Sequence, residues 1–171
     1  MRLHDDAVRL VESFGGPVVF RQLLGSVPDA ARPELTPDHL TASALVVDAA
    51  TRRVLLCDHP RVGAWVQLGG HVEAGDASLA GAALREATEE SGIAGLVVHP
   101  EPIGFDVHPV RCRYGASRHF DVRFAVLAPA GAVAVCSSES RALGWFAPDA
   151  LPTPLGDAVE CLVAPALARY T

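Results

Sequence analysis

The feature that most constrains this chain is the stretch from Gly69 to Ile93, GGHVEAGDASLAGAALREATEESGI. A glycine pair leads into a loop, and the loop leads into a helix that should stop at Gly92, a natural left-handed C-cap. Near the end of that helix stand Glu86, Glu89 and Glu90. Residues three and four apart share a helical face, so the three carboxylates fall within roughly 100° of the barrel. Like charges at this spacing cost about 0.2–0.5 kcal/mol per pair. Acids in a last turn also oppose the helix macrodipole. Sequences that break local rules in this way usually do so at a functional site. A hard divalent cation is the natural compensation, because Mg²⁺ and Mn²⁺ take clustered carboxylate oxygens.

A solvated acidic face is the bland alternative, and the neighbouring residues weigh against it. Arg85 precedes Glu86 and lies four residues before Glu89, so it can orient or neutralise a carboxylate. Gly69 and Gly70 permit a close backbone approach that a Cβ would hinder. Ala80, Leu84 and Ala87 fall on another side of the helix, a narrow apolar stripe suited to lying on a sheet. On this reading one face packs and the other presents acid.

The run Arg85-Glu86-Ala87-Thr88-Glu89-Glu90-Ser91-Gly92-Ile93 resembles the core of the Nudix box, R-E-U-x-E-E-x-G-U, with Gly70 matching the glycine that opens it. Asp76 stands where the family usually has Glu, the gap from it to Arg85 is one residue longer than the common form, and Ala87 is small for its position. The resemblance implies an α/β fold, a Nudix-type α/β/α sandwich around a mixed β-sheet. It also implies Mg²⁺ (or Mn²⁺) held by Glu86, Glu89, Glu90 and the Gly69 carbonyl. Glu86 is then the first candidate base, with the reverse split of roles and a base at Glu139 both open, and Arg85 orients the cluster. The implied reaction is hydrolysis of a pyrophosphate bond in a nucleoside diphosphate linked to another group. ADP-ribose or a nucleotide sugar ranks first, Pro109 lying one position from a proline associated with such members. Nucleoside triphosphates and 5′-pyrophosphorylated RNA follow. The rivals from other classes are a non-catalytic Nudix-like nucleotide sensor, and an isopentenyl-diphosphate-isomerase-like enzyme needing a catalytic cysteine.

The rest of the chain fits around this stretch. Residues 1–36 read as an N-terminal helical extension, with apolar helical spacing at 3–14 and 18–25 broken by Gly15-Gly16-Pro17. It either packs on the main unit, residues 37–171, or contributes to a homodimer. Residues 41–48 and 53–58 read as a hairpin, 65–68 as a short strand, and 96–99 and 103–108 as extended segments. In residues 117–127, Phe120, Val122 and Phe124 alternate with His119, Asp121 and Arg123. The polar set, with His108 and Arg111, is the candidate substrate wall, set against a sheet face that merely meets water. Residues 142–146 read as a late strand and 155–168 as a closing helix.

Composition narrows the function classes. The net charge of −6 argues against general nucleic-acid binding through a basic surface. No apolar run approaches the ~20 residues of a membrane span. The acids in MRLHDDAVRL give no targeting segment, and Cys57, Cys112, Cys136 and Cys161 form no C-x-x-C pair. Reduced thiols in a cytoplasm are the expectation. No two histidines stand at ligand spacing on one helix, so zinc catalysis ranks low.

Overall fold

A computed structural model describes residues 2–27, 29–32, 36–112, 115–138 and 140–170. Within them the elements are α1 (Leu3–Ser13), α2 (Val18–Ser26), β1 (Asp38–Asp48), β2 (Arg53–His59), β3 (Ala64–Val66), β4 (Leu68–His71) and α3 (Leu79–Ser91). They continue with β5 (Val97–Cys112), β6 (Gly115–Leu127), β7 (Ala142–Phe146) and α4 (Val159–Ala168). The strands form one seven-stranded mixed sheet in the order β3-β2-β1-β6-β5, with β4 also on β1 and β7 on β2. β1 and β6 run parallel and the other strand pairs antiparallel.

Strand β1 explains the layering. Its side chains alternate between faces, as the period of two requires. Leu40, Ala42, Ala44 and Val46 enter the larger core with α1, α2 and α3. Leu45 and Val47 enter a second core beneath α4. The result is the expected α/β/α sandwich. The N-terminal helices are part of its larger core: Ala7, Leu10, Val11, Phe20, Leu23 and Leu24 are all buried there. Phe20 meets Phe105 and Phe120 edge-on, at ring-centroid distances of 5.3 and 5.2 Å.

Three elements differ from the sequence expectation. Residues 65–68 are not one strand, because the chain changes partners at Gln67: β3 pairs with β2 and β4 pairs with β1. The extended segments around 96–108 form a single strand, whose register shifts occur between Val98 and Pro102 and between Pro102 and Gly104. Proline has no N–H for the ladder, so an irregularity there is where β5 tolerates Pro100 and Pro102. The last helix begins at Val159 rather than 155. Trp65 N–H donates to the Pro154 carbonyl and Gly156 N–H to the Trp65 carbonyl, at 2.9 and 2.8 Å, which holds this segment extended beside β3. No helix among the described residues is long and apolar enough to cross a membrane.

Candidate active site

Helix α3 is capped at both ends. Ser78 Oγ accepts from Gly81 N–H at 3.0 Å. Gly92 ends the helix at φ 65°, its N–H bonded to the Thr88 carbonyl. The apolar stripe is rotated from the expected one. Leu79, Ala82, Ala83 and Ala87 are fully buried, while Ala80 and Leu84 are only partly so. The rotation carries Glu90 onto the packing side, where it is 5 % exposed, whereas the Glu89 side chain is 60 % exposed. The acids therefore do not share one solvent-facing surface: Glu90 is inside, and Glu89 outside.

Arg85 links most of the cluster. Its Nε and Nη2 donate to the two Asp76 oxygens at 3.1 and 3.0 Å, a bidentate pair. Nη1 donates to Glu86 at 3.0 Å and to Glu89 at 3.1 Å, and Nη2 also reaches the His71 carbonyl at 2.9 Å. The hydrogen bonds to Asp76 first, and then those to Glu86, hold the guanidinium above its ordinary pKa. Asp76, in the place of the family's usual glutamate, thus anchors the cation that spaces the helix acids. Glu90 is fixed separately, by Gly69 N–H at 3.1 Å.

The glycine pair is a steric requirement. A Cβ on Gly70 would lie 2.8–2.9 Å from the Glu86 carboxylate, and one on Gly69 would lie 2.5–2.6 Å from Ser43 Cβ and Cα. The donors gathered here are carboxylate and carbonyl oxygens with backbone pressed against them, which is the set a hard divalent cation takes. Glu86, Glu89, Glu90 and the Gly69 carbonyl fit such an ion in kind.

On the sheet face opposite α3, paired residues stand in rows. His108, His119 and His39 form one row, and Asp106, Asp121, Thr41 and His71 the next. Asp121 accepts from Thr41 Oγ1 (3.1 Å), Ser43 Oγ (2.7 Å) and Arg123 Nε (3.0 Å). Arg123 Nη2 reaches Asp106 at 2.8 Å, and Asp106 accepts from His108 Nδ1 at 2.7 Å. Asp121 and Arg123 are buried, 3 % and 5 % exposed, so this is not a face that merely meets water. Arg123 is engaged by two carboxylates. Burial first, and then the neighbouring His39, His71 and His108, push the His119 imidazole down to about 3. Burial likewise lowers His39.

The expected site residues are therefore partly brought together. Arg85 holds Glu86 and Glu89, Glu90 is tied separately to Gly69 N–H, and His108, His119, Asp121 and Arg123 share the polar face. Arg111 is exposed and, by alternation along β5, falls on the other side from His108. Glu139 lies outside the described residues. Sequence reading missed Thr41, Ser43, His39 and His71. The first three belong to β1, which begins at Asp38 rather than at 41, and they share the parity, and so the sheet face, of Leu45. Cys57 is buried. Burial first, and then the Glu90 charge, push its thiol up to about 12, which does not suit a nucleophile.

Residues 37–163 match the NUDIX domain family model. No curated protein matches the chain by sequence. Among solved structures, a MutT NUDIX hydrolase from Burkholderia pseudomallei is 25 % identical with a TM-score of 0.53, covering 76 % of this chain and 98 % of that one. An ADP-ribose pyrophosphatase from Streptococcus suis is 21 % identical with a TM-score of 0.56, covering 78 % and 92 %. The NUDIX domain of Shewanella oneidensis NrtR, complexed with ADP ribose, is 21 % identical with a TM-score of 0.58, covering 88 % and 98 %.

Proposed function

The chain belongs to the NUDIX domain family, and on that premise we propose that this pyrophosphohydrolase is Mg²⁺-dependent and cleaves a nucleoside diphosphate linked to another group, ADP-ribose or a nucleotide sugar first. The observation that carries the reading is the Arg85 clamp: one guanidinium spaces Glu86 and Glu89 while Glu90 is tied to Gly69 N–H. Glu86, Glu89, Glu90 and the Gly69 carbonyl would hold the ions. Divalent ions there supply Lewis acidity, countering the pyrophosphate charge and easing ionisation of the attacking water.

The chain's own residues do the rest. Glu86 accepts the proton of the attacking water, its carboxylate oriented by the hydrogen bond from Arg85 Nη1. Buried Glu90 is held by a backbone N–H and undergoes little reorganisation during turnover. On the polar face, Asp121 and Arg123 position Asp106 and His108, and His108 and His119 offer hydrogen bonds to the substrate. Arg123 is assigned a positioning role here because both its bonded groups are carboxylates. The ADP-ribose preference draws on the Streptococcus suis pyrophosphatase and on the NrtR domain complexed with ADP ribose.

The test is a substrate panel with Mg²⁺ and Mn²⁺, the products identified by mass. ADP-ribose and nucleotide sugars should yield nucleoside monophosphate and a sugar phosphate. Faster turnover of nucleoside triphosphates or 5′-pyrophosphorylated RNA would reassign the substrate. Turnover unchanged in chelator would overturn the metal dependence.

A further inference from the structure

Three histidines from three strands meet on the face opposite α3, although none is close to another in sequence. His39 on β1 is paired with His119 on β6, and His71 on β4 is paired with Thr41, two residues along β1 from His39. The rings form a nearly equilateral triangle. His39 and His71 lie 5.1 Å apart between centroids, His39 and His119 4.9 Å, and His71 and His119 5.1 Å. One nitrogen from each comes within 4.8 Å of the other two.

The protonation pattern suits coordination. His39 Nδ1 lies 3.1 Å from the Pro37 carbonyl, which can only accept, so the proton is on Nδ1 and Nε2 carries a lone pair. This outer hydrogen bond is the one that fixes the tautomer of metal-ligating histidines. His39 is fully buried, and its Nε2 and the Nε2 of His119 are buried without a hydrogen-bond partner. Leaving such an atom buried and unsatisfied is energetically unfavourable. A stack of neutral imidazoles packed for its own sake gives no return for that cost.

We propose that His39, His71 and His119 bind one divalent transition-metal ion of the zinc class, at a site distinct from the carboxylate cluster. Imidazole nitrogen suits Zn²⁺, Cu²⁺ and Ni²⁺, whereas Mg²⁺ prefers oxygen, so the two donor sets select different ions. Zn–N bonds of 2.0–2.1 Å in a tetrahedron require nitrogens about 3.3 Å apart, so the rings close inward on binding by small side-chain rotations. Three protein ligands leave a fourth position for water or an anionic substrate oxygen. On this assignment His119 reaches substrate through the ion rather than directly. His71 joins the two sites, since its carbonyl takes Arg85 Nη2 while its ring belongs to the triad.

The experiment is calorimetric titration of the metal-free full chain with Zn²⁺ in excess Mg²⁺, with Co²⁺ absorption spectra in parallel. One equivalent of Zn²⁺ should bind, and Co²⁺ should give the visible bands of a low-coordinate nitrogen site. His71→Gln and His119→Gln, shown to be folded by circular dichroism, should each weaken binding by roughly 10- to 100-fold or more. Glu89→Gln should leave it unchanged. Absence of uptake, or uptake lost in Glu89→Gln and kept in a folded histidine variant, overturns the site. The Co²⁺ spectrum decides on the unaltered protein if a variant does not fold.

Discussion

The backbone N–H of Leu79, the first residue of α3, donates to the buried carboxylate of Asp6 in α1 at 2.9 Å. The N-terminal extension thus helps cap the helix that carries the acids. Asp6 also meets Arg9 at 2.7 Å, and a negative charge at a helix N-terminus opposes the helix dipole favourably. Asp6→Ala should destabilise the chain by about 1–2 kcal/mol, the range of a lost N-cap. Urea unfolding followed by circular dichroism would measure it, and an unchanged midpoint would remove the capping role.

The glycine pair gives a contrast within two adjacent positions. At Gly70 the obstructing atoms are the end of the Glu86 side chain, which can swing away. Gly70→Ala should therefore fold with a modest loss of stability and displace Glu86, lowering turnover. At Gly69 the obstruction is Ser43 Cα and the Ala42 carbonyl at 2.6 and 2.8 Å, which cannot move without β1. Gly69→Ala should lower the melting temperature much more than Gly70→Ala does. The two variants compared for turnover and melting would show whether the order holds.

How much of this was legible beforehand depends on range. The box helix, its Gly92 stop and the alternation of Phe120, Val122 and Phe124 follow from local periodicity, and each appears where expected. The partner change at Gln67 is a tertiary fact, because residues 64–71 have strand character throughout and only the neighbouring strands decide which bond they make. The histidine triad was illegible for the same reason. His39, His71 and His119 acquire proximity only through the β4-β1-β6 register. Glu90's burial depended on a rotation of α3 that small alanines at 80, 82, 83 and 87 leave undetermined by sequence.

Cys57 gives a prediction in pH. Its folded-state thiol is pushed up to about 12 from an ordinary 9.0, so between those values the unfolded chain loses a proton that the folded chain keeps. Its contribution to stability is present below pH 9 and declines as pH rises toward 12. At pH 8, iodoacetamide should label exposed Cys136 and Cys161 and spare Cys57 until denaturant is added. Peptide mass mapping reads this directly, and rapid labelling of Cys57 in the folded chain would contradict the burial argument.

Glu90→Gln isolates charge from shape at a buried position. The amide retains an oxygen for Gly69 N–H, so the fold should survive, whereas the donor for a hard cation is weakened. Turnover should fall by about 100-fold or more, the scale at which removed electrostatic stabilisation is felt. A Mg²⁺ titration of the rate in both proteins distinguishes this from a general defect, since the variant should need more Mg²⁺. Near-normal turnover in the purified variant would refute the ligand assignment.

Arg85→Lys tests whether the cluster needs a charge or a fork. Lysine keeps the positive charge, but its ammonium cannot span both Asp76 oxygens while also reaching Glu86, Glu89 and the His71 carbonyl, as the guanidinium does. If Arg85 acted only by neutralising acid, the variant would be close to native. If its geometry sets the spacing of Glu86 and Glu89, kcat should fall by about 10- to 100-fold, the usual effect of removing a group that orients metal ligands. The substrate KM should change less than kcat, because Arg85 is directed at protein groups and not toward the polar face. Restoring native kcat with added Mg²⁺ alone would show that neutralisation suffices and that the fork is dispensable.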